Sequence, residues 1–190
     1  MKFIESTLPG VVIIVPAVLT DERGWFMESF NAARFASGLA ELGLPDPGPF
    51  VQDNHSSSRA GVLRGLHYQL PPHAQGKLVR VTQGSAYDVA VDIRRGSAHF
   101  GQSFGTVLSE RNRNQLWIPA GFAHGFVALE DDTHFLYKTT DVYARECERS
   151  VRWDDPTIDV HWPLPEGLSV PLMAAKDAAA PLWAHADLPP

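Results

Sequence analysis

Eight histidines are spread along the 190 residues, at positions 55, 67, 73, 99, 124, 134, 161 and 185. Imidazole is the side chain best matched to proton transfer near neutral pH. Most histidines in a chain this size are structural or solvated, and two stand apart. His67 lies in Arg64-Gly65-Leu66-His67-Tyr68-Gln69, and His124 in Pro119-Ala120-Gly121-Phe122-Ala123-His124-Gly125-Phe126. Both segments are strand-like and punctuated by glycine. On a regular strand Arg64, Leu66 and Tyr68 share one face, while Gly65, His67 and Gln69 share the other. Gly65 beside His67 is expected to leave room for a ligand. A metal centre is another use for imidazoles. Here Gln69 stands where a second imidazole would complete a His-x-His pair, so a divalent ion would have a poor set of donors. We therefore expect no metal and no cofactor.

The elements that must position these residues read mainly as strands. Val11-Val12-Ile13-Ile14-Val15 is a β-branched run ended by Pro16. A second strand is expected over 25–30. Asn31 can cap a helix over 32–42, with Gly43 to end it. Pro45, Pro47, Gly48 and Pro49 then form a loop. From residue 50 to about 140 the pattern is strand, turn, strand, with strands expected at 62–67, 77–81, 86–93, 103–108, 115–118, 122–129 and 134–140. The clearest alternation puts Tyr87, Val89, Val91 and Ile93 on one side and Ala86, Asp88, Ala90 and Asp92 on the other. Asp88 and Asp92 are then either partners of Lys77 or His124, or the wet face of a strand. Many short strands at close spacing predict an all-β sandwich or jelly roll with few helices. One domain over 1–190 is expected, with 163–190 a tail packing back on it.

Bulk properties exclude several classes. A formal net charge of −6 offers no basic field for nucleic acid. The single cysteine, Cys147, excludes an internal disulfide framework and a multi-cysteine metal site. The run at 11–15 is far too short to span a membrane, and the first residues do not read as a signal peptide. A soluble, cytoplasmic protein without membrane contact is expected.

The segment from Pro119 to His124 resembles the Pro-x-Gly-x-x-His signature of the cupin jelly rolls, many of which bind metal through a His-x-His pair that is incomplete here. A closer resemblance rests on several blocks together. These are Arg23-Gly24-Trp25-Phe26-Met27-Glu28-Ser29-Phe30, Phe50-Val51-Gln52-Asp53-Asn54-His55-Ser56, Val62-Leu63-Arg64-Gly65-Leu66-His67 and Gln75-Gly76-Lys77-Leu78-Val79-Arg80. Asp88-Val89-Ala90-Val91-Asp92-Ile93-Arg94, Phe135-Leu136-Tyr137-Lys138-Thr139-Thr140, Trp153-Asp154-Asp155-Pro156 and Ala175-Lys176-Asp177 follow. In order and spacing, over nearly the whole chain, they resemble the dTDP-4-dehydrorhamnose 3,5-epimerase family.

The resemblance implies a cupin-like jelly-roll β-sandwich that inverts carbons C3 and C5 beside the C4 ketone of a 4-keto-6-deoxyhexose nucleotide. That chemistry needs a base, a stabiliser for the enolate and an acid on the opposite face. By resemblance His67 is the base and Asp177 its partner, Lys77 faces the enolate oxygen and Tyr137 donates the proton. Arg23, Arg64 and Lys176 are implied as contacts to the nucleotide sugar, where arginine can grip phosphate through two parallel bonds. Glu28, Gln52, Asp53, Asn54, Glu148 and His124 are implied as further substrate contacts, and Tyr143 as the ring that stacks on the nucleobase. The family further implies a homodimer in which the 23–28 block completes the neighbour's site. Read from the residues alone, Lys77 is a strand lysine and Tyr137 a core tyrosine. The readings that remain beside a double epimerase are a single-carbon epimerase of a related dTDP-4-keto-6-deoxy sugar, a metal-dependent cupin enzyme and a non-catalytic nucleotide-sugar binder.

Overall fold

The computed structural model describes residues 1–189. The chain begins with β1 (Lys2–Glu5) and β2 (Val12–Val15), followed by a hairpin of β3 (Val18–Asp21) and β4 (Gly24–Met27). After α1 (Ala32–Glu41) come β5 (Gln52–Ser58), β6 (Leu63–Gln69), β7 (Lys77–Gln83) and β8 (Ser85–Asp92). Then follow β9 (Ser103–Ser109), β10 (Gln115–Ile118), β11 (Phe122–Ala128), β12 (Thr133–Thr139), β13 (Glu148–Ser150) and the short α2 (Ala175–Ala178). Two antiparallel sheets result, in the orders β1-β2-β10-β7-β12-β5 and β13-β6-β11-β8-β9. From β5 to β8 and from β9 to β13 the chain passes back and forth between them, the wrapping of a jelly roll.

Three apolar layers follow from strand alternation. Between the sheets, Val79, Val81, Leu116, Ile118 and Phe135 meet Ala86, Ala90, Leu108, Phe122 and Phe126. Phe126 and Phe135 stack across the sandwich with centroids 3.9 Å apart. Outside the five-stranded sheet, Leu63, Leu66, Val89, Val91 and Ile93 pack under Val151, Ile158, Trp162 and Leu188. Outside the six-stranded sheet, Val12, Ile14, Leu78 and Trp117 are covered by Phe35 and Leu39 of α1. Fully burying one such side chain contributes about 1.5–3 kcal/mol, so each face that the alternation makes apolar must find a cover.

The helix forms as its sequence predicts. Asn31 accepts a hydrogen bond from the Arg34 amide at 3.1 Å, and Gly43 takes a left-handed φ of 71° just after the last turn. The strand expected over 25–30 stops at Met27 instead. Glu28 is drawn into the helix start, accepting from Asn31 Nδ2 at 3.2 Å and from Arg34 Nη1 at 3.1 Å. The 163–189 segment lies along the sandwich, Pro190 falling outside the described residues. Leu172 bridges the strand end at Val62, and the Tyr68 hydroxyl donates to the Asp187 carbonyl at 2.9 Å.

On β8 the alternation holds, and it removes one reading of its two carboxylates. Asp88 and Asp92 are both fully buried, so neither is a wet strand face. Asp92 serves its own turn, accepting from Arg94 N, Nε and Nη2 and from Ser97 Oγ at 2.6–3.0 Å. Asp88 goes elsewhere, as described below.

On β6 the parity expectation holds from Leu66 to Gln69 and fails at Arg64. Against β11, His67 pairs with His124 and Arg64 with Phe126, so three steps on β6 oppose two on β11. The extra residue is a bulge, and it inverts the facing of everything beyond it. Leu63 and Leu66 consequently share the outer layer, and Arg64 and His67 share the inner side. Gly65 sits in this irregularity with φ 133°, and a Cβ there would lie 2.5 Å from Gly125 Cα. Its missing side chain admits the neighbouring backbone, not a ligand as expected. Overpacking and a disfavoured φ together cost about 2–5 kcal/mol. Urea denaturation should show Gly65→Ala losing that much stability. Gly48→Ala, with φ 76° but no atom within 4 Å of its Cβ, should lose only about 1–2 kcal/mol. Equal midpoints for the two would contradict this account of the bulge.

Candidate active site

A cleft of about 650 Å³ opens between the sheets, in the range of small-molecule sites. The inner faces of β5, β6, β7, β11 and β12 line it, together with the 140–148 region and the stretch from Leu172 to Asp177. The bulge on β6 turns His67 into this space.

α2 brings Asp177 back to β6, where the His67 ring nitrogen Nε2 lies 2.7 Å from Asp177 Oδ1, across 110 residues of sequence. The carboxylate is an acceptor, so Nε2 carries the proton and donates it, which leaves the Nδ1 lone pair for the cleft. The His67 side chain is 24% exposed and that of Asp177 only 3%, so the imidazole faces the cleft and the carboxylate stays behind it. Burial opposes ionisation of Asp177. The His67 bond and charge, a backbone bond at Gly65 and the nearby Lys176 outweigh it and hold the carboxyl below its usual range.

Lys77 is buried on β7, and its ammonium makes a long contact of 3.4 Å with the His67 carbonyl. Burial pushes its pKa down to about 8, against the opposing pull of Asp88 and Glu148. Tyr137 lies on the inner side of β12, beside Phe135. Burial is the main cause that raises its phenol above the ordinary value, so it holds its proton at neutral pH. His124 is buried, with Nε2 2.8 Å from Asp88 Oδ2. Burial lowers its pKa, and Lys77 and His67 add to this while Asp88 opposes it. Asp88 is therefore the partner of His124, and its second oxygen, Oδ1, has no hydrogen-bond partner.

The mouth of the cleft is more polar. Arg64 reaches in from β6, held by Ser58 Oγ at 3.2 Å and by the Ser57 carbonyl at 3.3 Å. Glu148 accepts from Lys176 Nζ and from the Tyr143 hydroxyl, both at 3.0 Å. The Tyr143 ring is half-exposed. Gln52 and Asn54 point inward from β5, joined at 3.0 Å.

Three sequence expectations fall outside this cleft. Asp53, as the neighbour of Gln52 and Asn54, faces the other side of β5, where Lys138 pairs with it at 2.9 Å. Arg23 sits exposed at the tip of the β3–β4 hairpin and pairs with Asp21, while Glu28 pairs with Arg34. Neither reaches the cleft of its own chain. Arg59, Gln69 and Gln75 line it without having been singled out as contacts. Gln69 drew notice only as an absent imidazole, and nothing in its type or spacing announced what it binds. No group of three His, Cys, Asp or Glu side chains among the described residues is placed to hold a metal ion.

Fold and cleft together define the class: a jelly-roll enzyme of the acid–base kind. The family model for dTDP-4-dehydrorhamnose 3,5-epimerase matches residues 5–185. A dTDP-4-dehydrorhamnose 3,5-epimerase of Pseudomonas aeruginosa is 50% identical over 187 residues, 98% of either chain. One from Shigella flexneri is 48% identical over the same length and the same share of both chains. The crystal structure of a dTDP-6-deoxy-D-glucose-3,5-epimerase from Legionella pneumophila, in complex with dTDP-4-keto-L-rhamnose, superposes with a TM-score of 0.90. It is 47% identical, and the match covers 99% of this chain and 97% of that one. The chain belongs to the dTDP-4-dehydrorhamnose 3,5-epimerase family.

The buried ammonium makes a direct prediction. Lys77 is charged below about pH 8 and neutral above it. A reaction that needs the charged form loses kcat/KM as pH rises through that value. Lys77→Met should lose about 10²–10³ in kcat, the scale for removing one oxyanion donor, and its profile should lack the alkaline limb. A wild-type profile that climbs through pH 8 would mean that the neutral amine is the working form.

Proposed function

We propose that this protein inverts C3 and C5 of dTDP-4-dehydro-6-deoxy-D-glucose to give dTDP-4-dehydro-L-rhamnose, within dTDP-L-rhamnose biosynthesis. The observation that carries the reading is the 2.7 Å His67–Asp177 pair, facing a cleft that also holds Lys77 and Tyr137. The C4 ketone acidifies the protons on C3 and C5. His67 Nδ1 takes one of them and becomes imidazolium, its charge balanced by Asp177. The electron pair moves onto the C4 oxygen, where the Lys77 ammonium stabilises the enolate. Tyr137 returns a proton from the opposite face, which inverts the carbon, and solvent resets both groups. Arg64 and Lys176 suit the diphosphate, Gln52, Asn54 and Glu148 the remaining polar groups, and the half-exposed Tyr143 ring the thymine. His124, fixed by Asp88, faces the sugar. No step requires a redox cofactor or a metal.

A homodimer with shared sites is part of this reading. Arg23 and Glu28 lie on and beside a hairpin that does not reach its own cleft, and Leu19, Trp25 and Phe26 of that hairpin are more than half exposed. A second copy would cover these apolar side chains and receive Arg23 into its cleft. A cytoplasmic location fits a nucleotide-sugar substrate. No helix among the described residues is long and apolar enough to cross a membrane.

Incubation with the 4-keto substrate in deuterated water, followed by NMR, tests the chemistry. Wild type should place deuterium at both C3 and C5; label at one carbon would point to a single-carbon epimerase, and at neither to a binding protein. His67→Ala should lose exchange and inversion together, by about 10²–10⁴. Tyr137→Phe should keep much of its exchange, because His67 can return a proton to the face it took one from, while inversion collapses. A nearly silent Tyr137→Phe would make the phenol a packing residue. Subunit mixing tests the dimer. Arg23→Ala and His67→Ala chains, each weak alone, should regain activity together, since one site of the mixed dimer carries neither change. No recovery after confirmed exchange would place each site within a single chain.

A further inference from the structure

The loop from β12 to β13 carries Tyr143, yet no strand or helix satisfies its backbone over 141–144. Side chains do so: Thr139 Oγ1 donates to the Asp141 carbonyl and Asp141 Oδ1 accepts from the Val142 amide, at 2.8 and 2.7 Å, and three glutamines supply the other bonds. The Asp141 carbonyl accepts from Gln75 Nε2 at 2.8 Å, and the Tyr143 amide donates to Gln52 Oε1 at 3.0 Å. Gln69 does most. Its Nε2 donates to the Val142 carbonyl at 3.1 Å and to the His73 carbonyl at 2.6 Å, and its Oε1 accepts from the Ala144 amide at 2.8 Å. Gln69 is buried, so each of these bonds would be costly to leave unmade. Val142 and Ala144 flank Tyr143 directly, so one side-chain amide fixes the backbone on both sides of that ring.

Gln69 also belongs to the strand of the base. It stands two residues after His67 on β6 and lies in register with Glu148, the residue that accepts from the Tyr143 hydroxyl. From this geometry we infer that Gln69 is a positioning residue for the nucleotide end of the substrate. It ties the loop bearing Tyr143 to the strand bearing His67 and sets the distance between the base-stacking ring and the reacting carbon. The position where a metal-binding cupin would place an imidazole serves here to locate a nucleobase. The inference rests on the epimerase reading above, through the roles given to Tyr143 and His67.

The test separates nucleotide placement from chemistry. Gln69→Met keeps the side-chain length and removes all three bonds. It should raise KM for dTDP-4-keto-6-deoxyglucose, and Kd for dTDP, by roughly 5- to 150-fold, the range set by loss of one base–aromatic stack. kcat should stay within about twofold, the mark of lost uniform binding. The Kd of inorganic pyrophosphate, which has no base to stack, should not move. Tyr143→Ala should raise the dTDP Kd similarly, and adding Gln69→Met to it should change little more. Additive effects, equal weakening of pyrophosphate, or a fall in kcat at constant KM would overturn the inference. If Gln69→Met does not fold, Gln69→Asn keeps a side-chain amide but withdraws it from Val142 and Ala144. Its dTDP Kd should rise in the Tyr143 background and not in Tyr143→Ala; no change in either would equally overturn the inference. Wild type that binds dTDP but exchanges no deuterium would sink the epimerase reading while leaving the loop placement standing. Wild type that exchanges at both carbons beside an unchanged Gln69→Met would sink the positioning role alone.

Discussion

The hydrogen bond between His67 and Asp177 is the constraint around which the rest of the molecule is organised. Its two ends lie on β6 and on α2, so it exists only if the chain after β13 returns to the mouth of the sandwich. Much of the remaining architecture serves that return. The outer layer of the five-stranded sheet takes Val151, Ile158 and Trp162 as its cover, and the Leu172 bridge to Val62 steers the chain toward the cleft. An apolar sheet face that needed covering anyway thereby delivers a carboxylate to an imidazole. The bond also commits one ring nitrogen and, on the epimerase reading, leaves the other for a substrate.

Around that pair the cleft gathers charge where a jelly roll would ordinarily be apolar. Lys77, His124 and Asp88 all come from inner strand faces, next to the layer in which Phe126 and Phe135 stack. Burial disfavours the charged lysine and the charged imidazole alike, while Asp88 favours both. The cluster remains affordable because it holds one carboxylate for one ammonium, with an imidazole bonded to that carboxylate whose charging burial opposes. Such an arrangement keeps an ammonium short of water and so more effective toward a developing oxyanion.

The sequence was most legible where local rules act alone. The Asn31 cap, the Gly43 stop and the alternation on β8 depend on residues close in the chain, and all three appear in the structure. It was least legible where a neighbouring strand decides. Strict parity separated Arg64 from His67, and only the pairing with β11 reveals the bulge that reunites them. Asp53 shows the opposite case. Resemblance placed it with Gln52 and Asn54, and plain alternation turns it outward to Lys138. The residues brought together at the cleft floor were named through family resemblance, since no spacing rule joins positions 67, 77, 137 and 177. Gln69 shows what neither route supplies. A buried amide that binds backbone has no periodicity and no motif, because its partners are carbonyls and amides that every residue possesses.

The span of 110 residues between the two halves of the pair has a consequence for biogenesis. On the ribosome the imidazole is made first, and its carboxylate follows only after the last strand. A nascent chain halted just before residue 177 holds every strand of the sandwich and lacks that carboxylate. Of the residues that line the cleft, Asp177 is the last to be synthesised.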